Sequence, residues 1–261
     1  MKNIFICGIL TIIACFSGNI SAQTVKVMTY NVHNGIGLDK KRDHDRIADL
    51  IAREKPDFVG IQEVDSMTNR SGNIFVLSDI AQKADMIPTF APAIPWDGGI
   101  YGIGILSLTN PGNINRIPLP GREENRVLLI TEFDNFIIIN THLSLTPDDA
   151  LESVKIIHDI LPSLGTKPVI LTGDLNSLPD SRVIKALEKD FTIVSPENAP
   201  TFPANNPTER IDYIMISKGH KFTVKRAEVI DDKIASDHRP VIVEMNINDC
   251  TFHSKQQTRS R

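Results

Sequence analysis

The sequence predicts an α/β or α+β sandwich in one compact domain, and three observations predict it. Short apolar runs of strand length recur from Val25 to Ile247, with polar turns between them. A few stretches carry the three-and-four spacing of half-buried helices. Ile137, Ile138 and Ile139 are consecutive and therefore apolar toward both faces, as a strand covered on both sides requires. With 41% hydrophobic and 23% charged residues among 261, the chain has material for a full core, and disordered, collagenous and coiled-coil classes are excluded.

Each element has a local reason. Val25, Val27 and Thr29 alternate with Lys26, Met28 and Tyr30 in a first strand that ends at Asn31. Ile47, Leu50 and Ile51 form a helical stripe that stops before Pro56, because a residue ahead of proline is pushed out of the helical region. Residues 57–64 read as a second strand, 75–84 as a helix, and 101–108 as a strand entered from the Asp97-Gly98-Gly99 turn. Residues 126–133 and 136–142 form a hairpin through Asp134-Asn135. Thr146, Pro147 and Asp149 supply a cap, a first-turn proline and a capping-box acid for a helix running to about Leu161. A buried strand at 168–173, a short helix at 181–187 and strands at 211–216, 222–230 and 240–247 complete the chain.

The ends read differently. Lys2 is the only early charge, residues 4–16 are almost wholly apolar, and Ser21-Ala22-Gln23 offers a small-residue cleavage site, so residues 1–22 are expected to be a signal peptide. Export to the periplasm or beyond follows, with lipidation at Cys15 as the minor alternative. Cys7 and Cys15 lie in that segment, which leaves a processed chain with Cys250 and no internal disulfide. Loss of Lys2 takes the net charge from −4 to −5, so no global cationic field draws in nucleic acid or an anionic membrane. The working domain is expected at 23–249. Residues 250–261, with Lys255, Arg259 and Arg261 and no acid, read as a disordered basic tail.

Several strands that begin as core material end in groups that are costly to bury unpaired. Residues 58–61 run into Gln62 and Glu63, 136–139 into Asn140 and His142, and 169–171 into Asp174 and Asn176, while Asp212 interrupts Ile211 and Tyr213. Singly, each has an ordinary explanation as a turn residue or a satisfied core histidine. Together they point to one pocket. Carboxylates and amides without thiolates suit a hard cation, and magnesium takes few protein carboxylates, with Glu63 the foremost ligand. Ser236-Asp237-His238-Arg239-Pro240 adds an acid, an imidazole and a guanidinium, and must turn for Asp237 and His238 to serve one site.

MTYNVHNG, IQEV, YGIGILS, NTHLS, GDLNSLPDS, RIDYI and SDHRP follow one another in that order. Over about residues 25–246 the chain thereby resembles the endonuclease/exonuclease/phosphatase superfamily. The resemblance implies a four-layer α/β/β/α sandwich of two packed mixed sheets flanked by helices, with the active site at one edge of the sheets. It implies Glu63 as main metal ligand, Asn31 and Asp237 close to the metal or its waters, and Mg2+ as the ion, with Mn2+ as the alternative. Asp174 would orient or deprotonate the attacking water, and Asn176 would hold the nucleophile or a phosphate oxygen. His142 and His238 would address the phosphate, with Asp212 as partner of His238. Water would attack phosphorus in line.

His33, Tyr101 and Arg126, with Glu124 beside it, are weaker candidates for substrate contact. His44, His158, His220 and His253 read as surface residues, and Trp96 as a packed hairpin aromatic. The expected function is an exported phosphoesterase acting on a phosphodiester or phosphomonoester of a lipid, inositol or other small molecule. A secreted nuclease on DNA or RNA is the alternative, although no basic stripe interleaved with aromatics marks a single-strand groove. A non-catalytic phosphate-binding module, from a different class, is opposed by the complete set of acids, amides and imidazoles. The partner is then a phosphate ester; no stable protein partner is implied and the chain is read as a monomer.

Overall fold

Two parallel strand pairs, one in each of two sheets, organise the chain around a single edge. A computed structural model describes residues 23–248, so the signal-peptide and lipidation readings, Cys250 and the basic tail lie outside the described residues. In chain order the elements begin with β1 (Gln23–Asn31), α1 (His44–Glu54), β2 (Phe58–Ser66), α2 (Val76–Ala84), β3 (Ile87–Trp96) and β4 (Gly99–Ser107). There follow β5 (Asn113–Leu119), β6 (Arg126–Glu132), β7 (Ile137–His142), α3 (Pro147–Ile160), β8 (Val169–Asp174) and α4 (Arg182–Leu187). The chain closes with β9 (Phe191–Ile193), β10 (Asp212–Ser217), β11 (Phe222–Val229) and β12 (Val241–Ile247). One six-stranded sheet runs β11-β12-β1-β2-β4-β3 and the other β5-β6-β7-β8-β10-β9.

Three apolar clusters give the four layers. Between the sheets lie Val27, Phe58, Ile105, Leu129, Ile138, Ile170, Ile214 and Val243. α1 and α2 cover the outer face of the first sheet through Ile47, Leu50, Ile51, Leu77 and Ile80 against Met28, Val59 and Ile61. α3 and α4 cover the second through Val154, Ile157, Val183 and Ile184 against Ile137, Ile139 and Leu171. The isoleucine triplet thus divides as its pleat demands, with Ile138 inward and its neighbours toward the helices, each burial stabilising the fold by about 1.5–3 kcal/mol. The predicted sandwich is present in full.

Helix ends follow short-range chemistry. The Asp43 side chain accepts from Arg46 N at the start of α1, and Ser181 accepts from Ile184 N at the start of α4. The capping box predicted at Thr146 does not form. Thr146 makes no side-chain cap bond, and Asp149 instead takes Arg122 in a paired interaction at 2.7 and 3.0 Å. His44, expected at the surface, is buried, with its Nδ1 2.7 Å from Asp79 Oδ2.

The sequence reading omitted β3, β5 and β9. β3 carries Pro88, Pro92 and Pro95, which argue against a strand but are tolerated because β3 is the margin of its sheet. β5 and β9 are also margins; the largely exposed NINRIPL of β5 lacks the apolar face that identifies a strand, and β9 has three residues. The Asp97-Gly98 turn does form, with both residues at positive φ as a two-residue hairpin loop requires. Among the described residues no helix is long and apolar enough to cross a membrane.

Candidate active site

Because β1 is parallel to β2 and β7 to β8, the carboxyl ends of these four strands meet at one edge of the sandwich. They bring Asn31, Glu63, His142 and Asp174 to that edge. β10 runs the other way and starts there, with Asp212 directly opposite Asp174. The loop entering β12 adds Asp237 and His238. Glu63 is aimed by a defect: the β2–β4 ladder loses register between Ile61 and Val64, and Glu63 has φ +60°. A bulge of this kind turns one side chain out of the regular alternation.

Asp174 is the centre. Its Oδ2 accepts from Asn31 Nδ2 at 3.0 Å and faces the Nε2 atoms of His142 and His238 at 3.5 and 3.6 Å. Its Oδ1 accepts from the Asn176 backbone N–H at 3.0 Å. Asn176, itself at φ +46°, donates its side-chain amide to Leu143 O at 2.9 Å. The Asn31–Asp174 bond crosses from one sheet to the other.

The two imidazoles beside Asp174 are shifted in opposite directions. Burial opposes a charge on His238, yet the carboxylates of Asp212 and Asp174 outweigh it and push the ring up to about 10. Its Nδ1 lies 2.9 Å from Asp212 Oδ2, which also accepts the Thr201 hydroxyl at 2.5 Å. For His142 burial prevails over the attraction of Asp174, with Arg126 and His238 adding to it, and the ring falls to about 3. At neutral pH one ring is therefore an imidazolium and the other is neutral.

Glu63, Asn31 and Asp237 fit a hard cation. Burial raises the Glu63 carboxyl; the Asn31 amide, donating at 3.0 Å, opposes that rise and nearby Asp237 adds to it. Among the described residues neither carboxylate has a Lys or Arg within ion-pair distance. Two recessed acids with no Lys or Arg beside them suit a divalent ion with oxygen ligands. Asp174, Asp212 and His238 also bring donor atoms within 4.8 Å of one another. That trio is less suited, because the Asp212–His238 hydrogen bond occupies Nδ1 and a carboxylate oxygen, and the raised His238 ring keeps a proton on Nε2 as well.

The model of the Endonuclease/Exonuclease/phosphatase family matches residues 28–238. The chain belongs to that family. As an endonuclease/exonuclease/phosphatase protein it is a metal-dependent hydrolase acting on phosphate ester bonds. Its fold is shared with a family protein from Bacteroides thetaiotaomicron at 21% identity and TM-score 0.74, covering 89% of this chain and 98% of that one. A mannosyl-6-phosphatase from the same species matches at 22% and 0.68, covering 85% and 99%. The human Nocturnin catalytic domain matches at 18% and 0.63, covering 87% and 97%. No curated protein matches the sequence.

Within the endonuclease/exonuclease/phosphatase site the weaker candidates take distinct places. His33 lies beside Asp237 at 3.8 Å, with its Nδ1 3.1 Å from Ile36 O. Tyr101 and Arg126 line a small recess with His142. Arg126 is buried and held between Glu123 at 3.3 Å and Glu124 at 2.8 Å. Trp96 is 48% exposed rather than packed, with the Arg70 guanidinium 5.6 Å from its ring.

Sequence reasoning missed Glu123. Its carboxylate accepts from Ser144 Oγ at 2.9 Å and Leu145 N at 2.8 Å, which clamps the segment immediately after His142. It also missed Thr201, on Asp212, and Ser236, whose hydroxyl donates to Asn31 O at 2.7 Å and ties the Asp237 loop to β1. Ser236 opens SDHRP, which is the available signal; Thr201 carries none.

Proposed function

We propose that the chain is an exported, magnesium-dependent phosphoesterase of small phosphate esters, a lipid or inositol head group first among them. The observation that carries the reading is Asp174 Oδ2 held between the Nε2 atoms of His142 and His238, next to Glu63 and Asp237, which have no Lys or Arg partner among the described residues. Asp174, fixed by Asn31 and Asn176, orients the attacking water and receives its proton. His238 donates to a phosphate oxygen as charge gathers there, with Asp212 keeping Nδ1 protonated. His142 directs its Nε2 toward the same region. Glu63, with Asn31 and Asp237, would hold a divalent ion, which when bound supplies charge neutralisation at the phosphoryl group.

The substrate class is supported by exposed apolar side chains: Met67, Leu145 and Leu178 follow the site strands β2, β7 and β8, and Ile234 precedes β12, apolar surface suited to an ester whose remaining part is apolar. The apolar leader supports export. The test is a panel of sphingomyelin vesicles, glycerophosphodiesters, inositol phosphates, mannose 6-phosphate, plasmid DNA and RNA, each with magnesium and with chelator. Metal-dependent release from a lipid or small ester is expected. Cleavage confined to DNA or RNA would establish a nuclease, and turnover of none with intact phosphate binding would establish a binding module. Processing at Ala22, read by the mass of the secreted protein, tests export.

A further inference from the structure

The groups around Asp174 hang from two different sheets. Asn31 and Glu63 belong to the first sheet, His142, Asp174 and Asp212 to the second. Most of what joins the sheets is apolar packing, which is non-directional and leaves small slides between them weakly opposed. One polar cluster interrupts that packing, one pleat behind the site. Thr29, Asn140 and Thr172 each stand two residues before a site residue, namely Asn31, His142 and Asp174, and Gln62 stands one before Glu63. All four are fully buried.

Asn140 is the hub, with both amide hydrogens donated and its oxygen accepting. Its Nδ2 donates across the sheets to Ile61 O at 3.0 Å and Gly104 O at 2.8 Å. These two carbonyls belong to the last matched pair before the β2–β4 ladder loses register, so they brace the bulge that aims Glu63. Its Oδ1 accepts from Gln62 Nε2 at 2.7 Å and lies 3.1 Å from Thr172 Oγ1. Gln62 Nε2 also reaches Thr29 Oγ1 at 3.1 Å. The backbone makes room at Gly60, where a Cβ would stand 2.2 Å from Thr172 Oγ1 and 2.6 Å from Asn140 Oδ1.

We infer that Asn140 is a positioning residue, which sets the Glu63 bulge of one sheet in register with His142 and Asp174 of the other. The inference rests on the reading of Glu63, His142 and Asp174 as working groups. Directional bonds across the interface fix a separation that apolar contacts leave soft, and misplacement by a fraction of an ångström to an ångström suffices to slow a positioned reaction.

The test compares Asn140→Asp, Thr172→Val and Thr172→Ser, each checked for folding by thermal melting. Turnover is read on bis(4-nitrophenyl) phosphate with magnesium, and the Glu63 amide and His142 ring resonances are read in metal-free protein. Asn140→Asp keeps the shape and loses both donors. It is expected to lower kcat about tenfold to a hundredfold at unchanged KM and to shift both resonances. Thr172→Val, which lacks the hydroxyl, is expected to move in the same direction by less, and Thr172→Ser to restore wild-type values. Wild-type kcat and unshifted resonances in both Asn140→Asp and Thr172→Val would overturn the inference. If Asn140→Asp does not fold, the valine and serine pair decides. If the wild type leaves the probe intact, the proposed reaction fails on that ester while the metal-free resonances still decide the positioning role.

Discussion

Asp212 Oδ2 lies 2.9 Å from His238 Nδ1, while the other nitrogen of the same ring faces Asp174. The carboxylate therefore fixes which nitrogen points into the site and sustains a positive charge in a buried place. Asp212→Asn preserves the outline of this contact and removes its charge. The His238 pKa is expected to fall from about 10, as followed by NMR titration, and hydrolysis to drop on the order of a hundredfold or more. Because the ring is raised in the folded state, its contribution to stability is complete below the ordinary histidine range and is lost as pH climbs toward about 10. In the variant that alkaline loss should flatten.

Glu63 and Asp237 repel one another without a cation, so Glu63→Gln should act oppositely on stability and activity. Metal-free Glu63→Gln is expected to melt at or above the wild-type temperature. Added magnesium should raise the wild-type melting temperature and leave the variant unmoved, because a ligand stabilises only the state that binds it. A magnesium shift of equal size in both proteins would remove Glu63 from the metal site.

His142→Ala and Asp174→Asn are expected to fold and to lose about a hundredfold to ten-thousandfold in rate. Circular dichroism checks the first expectation and hydrolysis the second. Undiminished turnover by either variant contradicts the role given to that residue.

Burial opposes ionisation of Glu123, but hydrogen bonds from Ser144, its own and the Leu145 backbone N–H groups, and Arg126 hold its carboxyl down at about 2. The clamp is thus present above the ordinary glutamate range and lost as pH falls through about 2. The Leu145 amide resonance should move with that midpoint in the wild type and show no such transition in Glu123→Gln.

Gly60→Ala places a methyl against Thr172 Oγ1 and Asn140 Oδ1. Chemical denaturation is expected to show a loss of about 1–3 kcal/mol, typical of an overpacked interior. A neutral effect would mean that the gap between the sheets yields at this point.

The parts of the fold that were legible in the sequence are those whose side chains are sorted by burial. β1, β7, β8 and β12 each show an alternating or continuous apolar pattern because one or both faces are covered. β3 and β5 escaped because a sheet margin accepts proline and polar residues and so carries no such pattern. The candidate site followed the same division. Glu63 and Asp174 stand out as polar residues at the ends of apolar strands, Asp212 as an acid interrupting one, and His238 in the charged segment ahead of the last strand. Glu123 does not, since Arg122, Glu123 and Glu124 together look like a solvated run of charge, and only the folded loop after His142 gives that carboxylate its donors. Asn140 was visible as a polar strand end, but its contact with Gln62 spans 78 residues and is created by the packing of the sheets.

The prolines of β3 have an effect beyond their own hydrogen bonds. A bare sheet margin is a template on which a second chain can lay a strand, and three positions of this one offer no N–H to such a newcomer. The kink between Pro92 and Ile94 further breaks the flat run that template-directed growth requires. The same residues that hide β3 from a reader of the sequence thereby discourage stacking into fibres along that side.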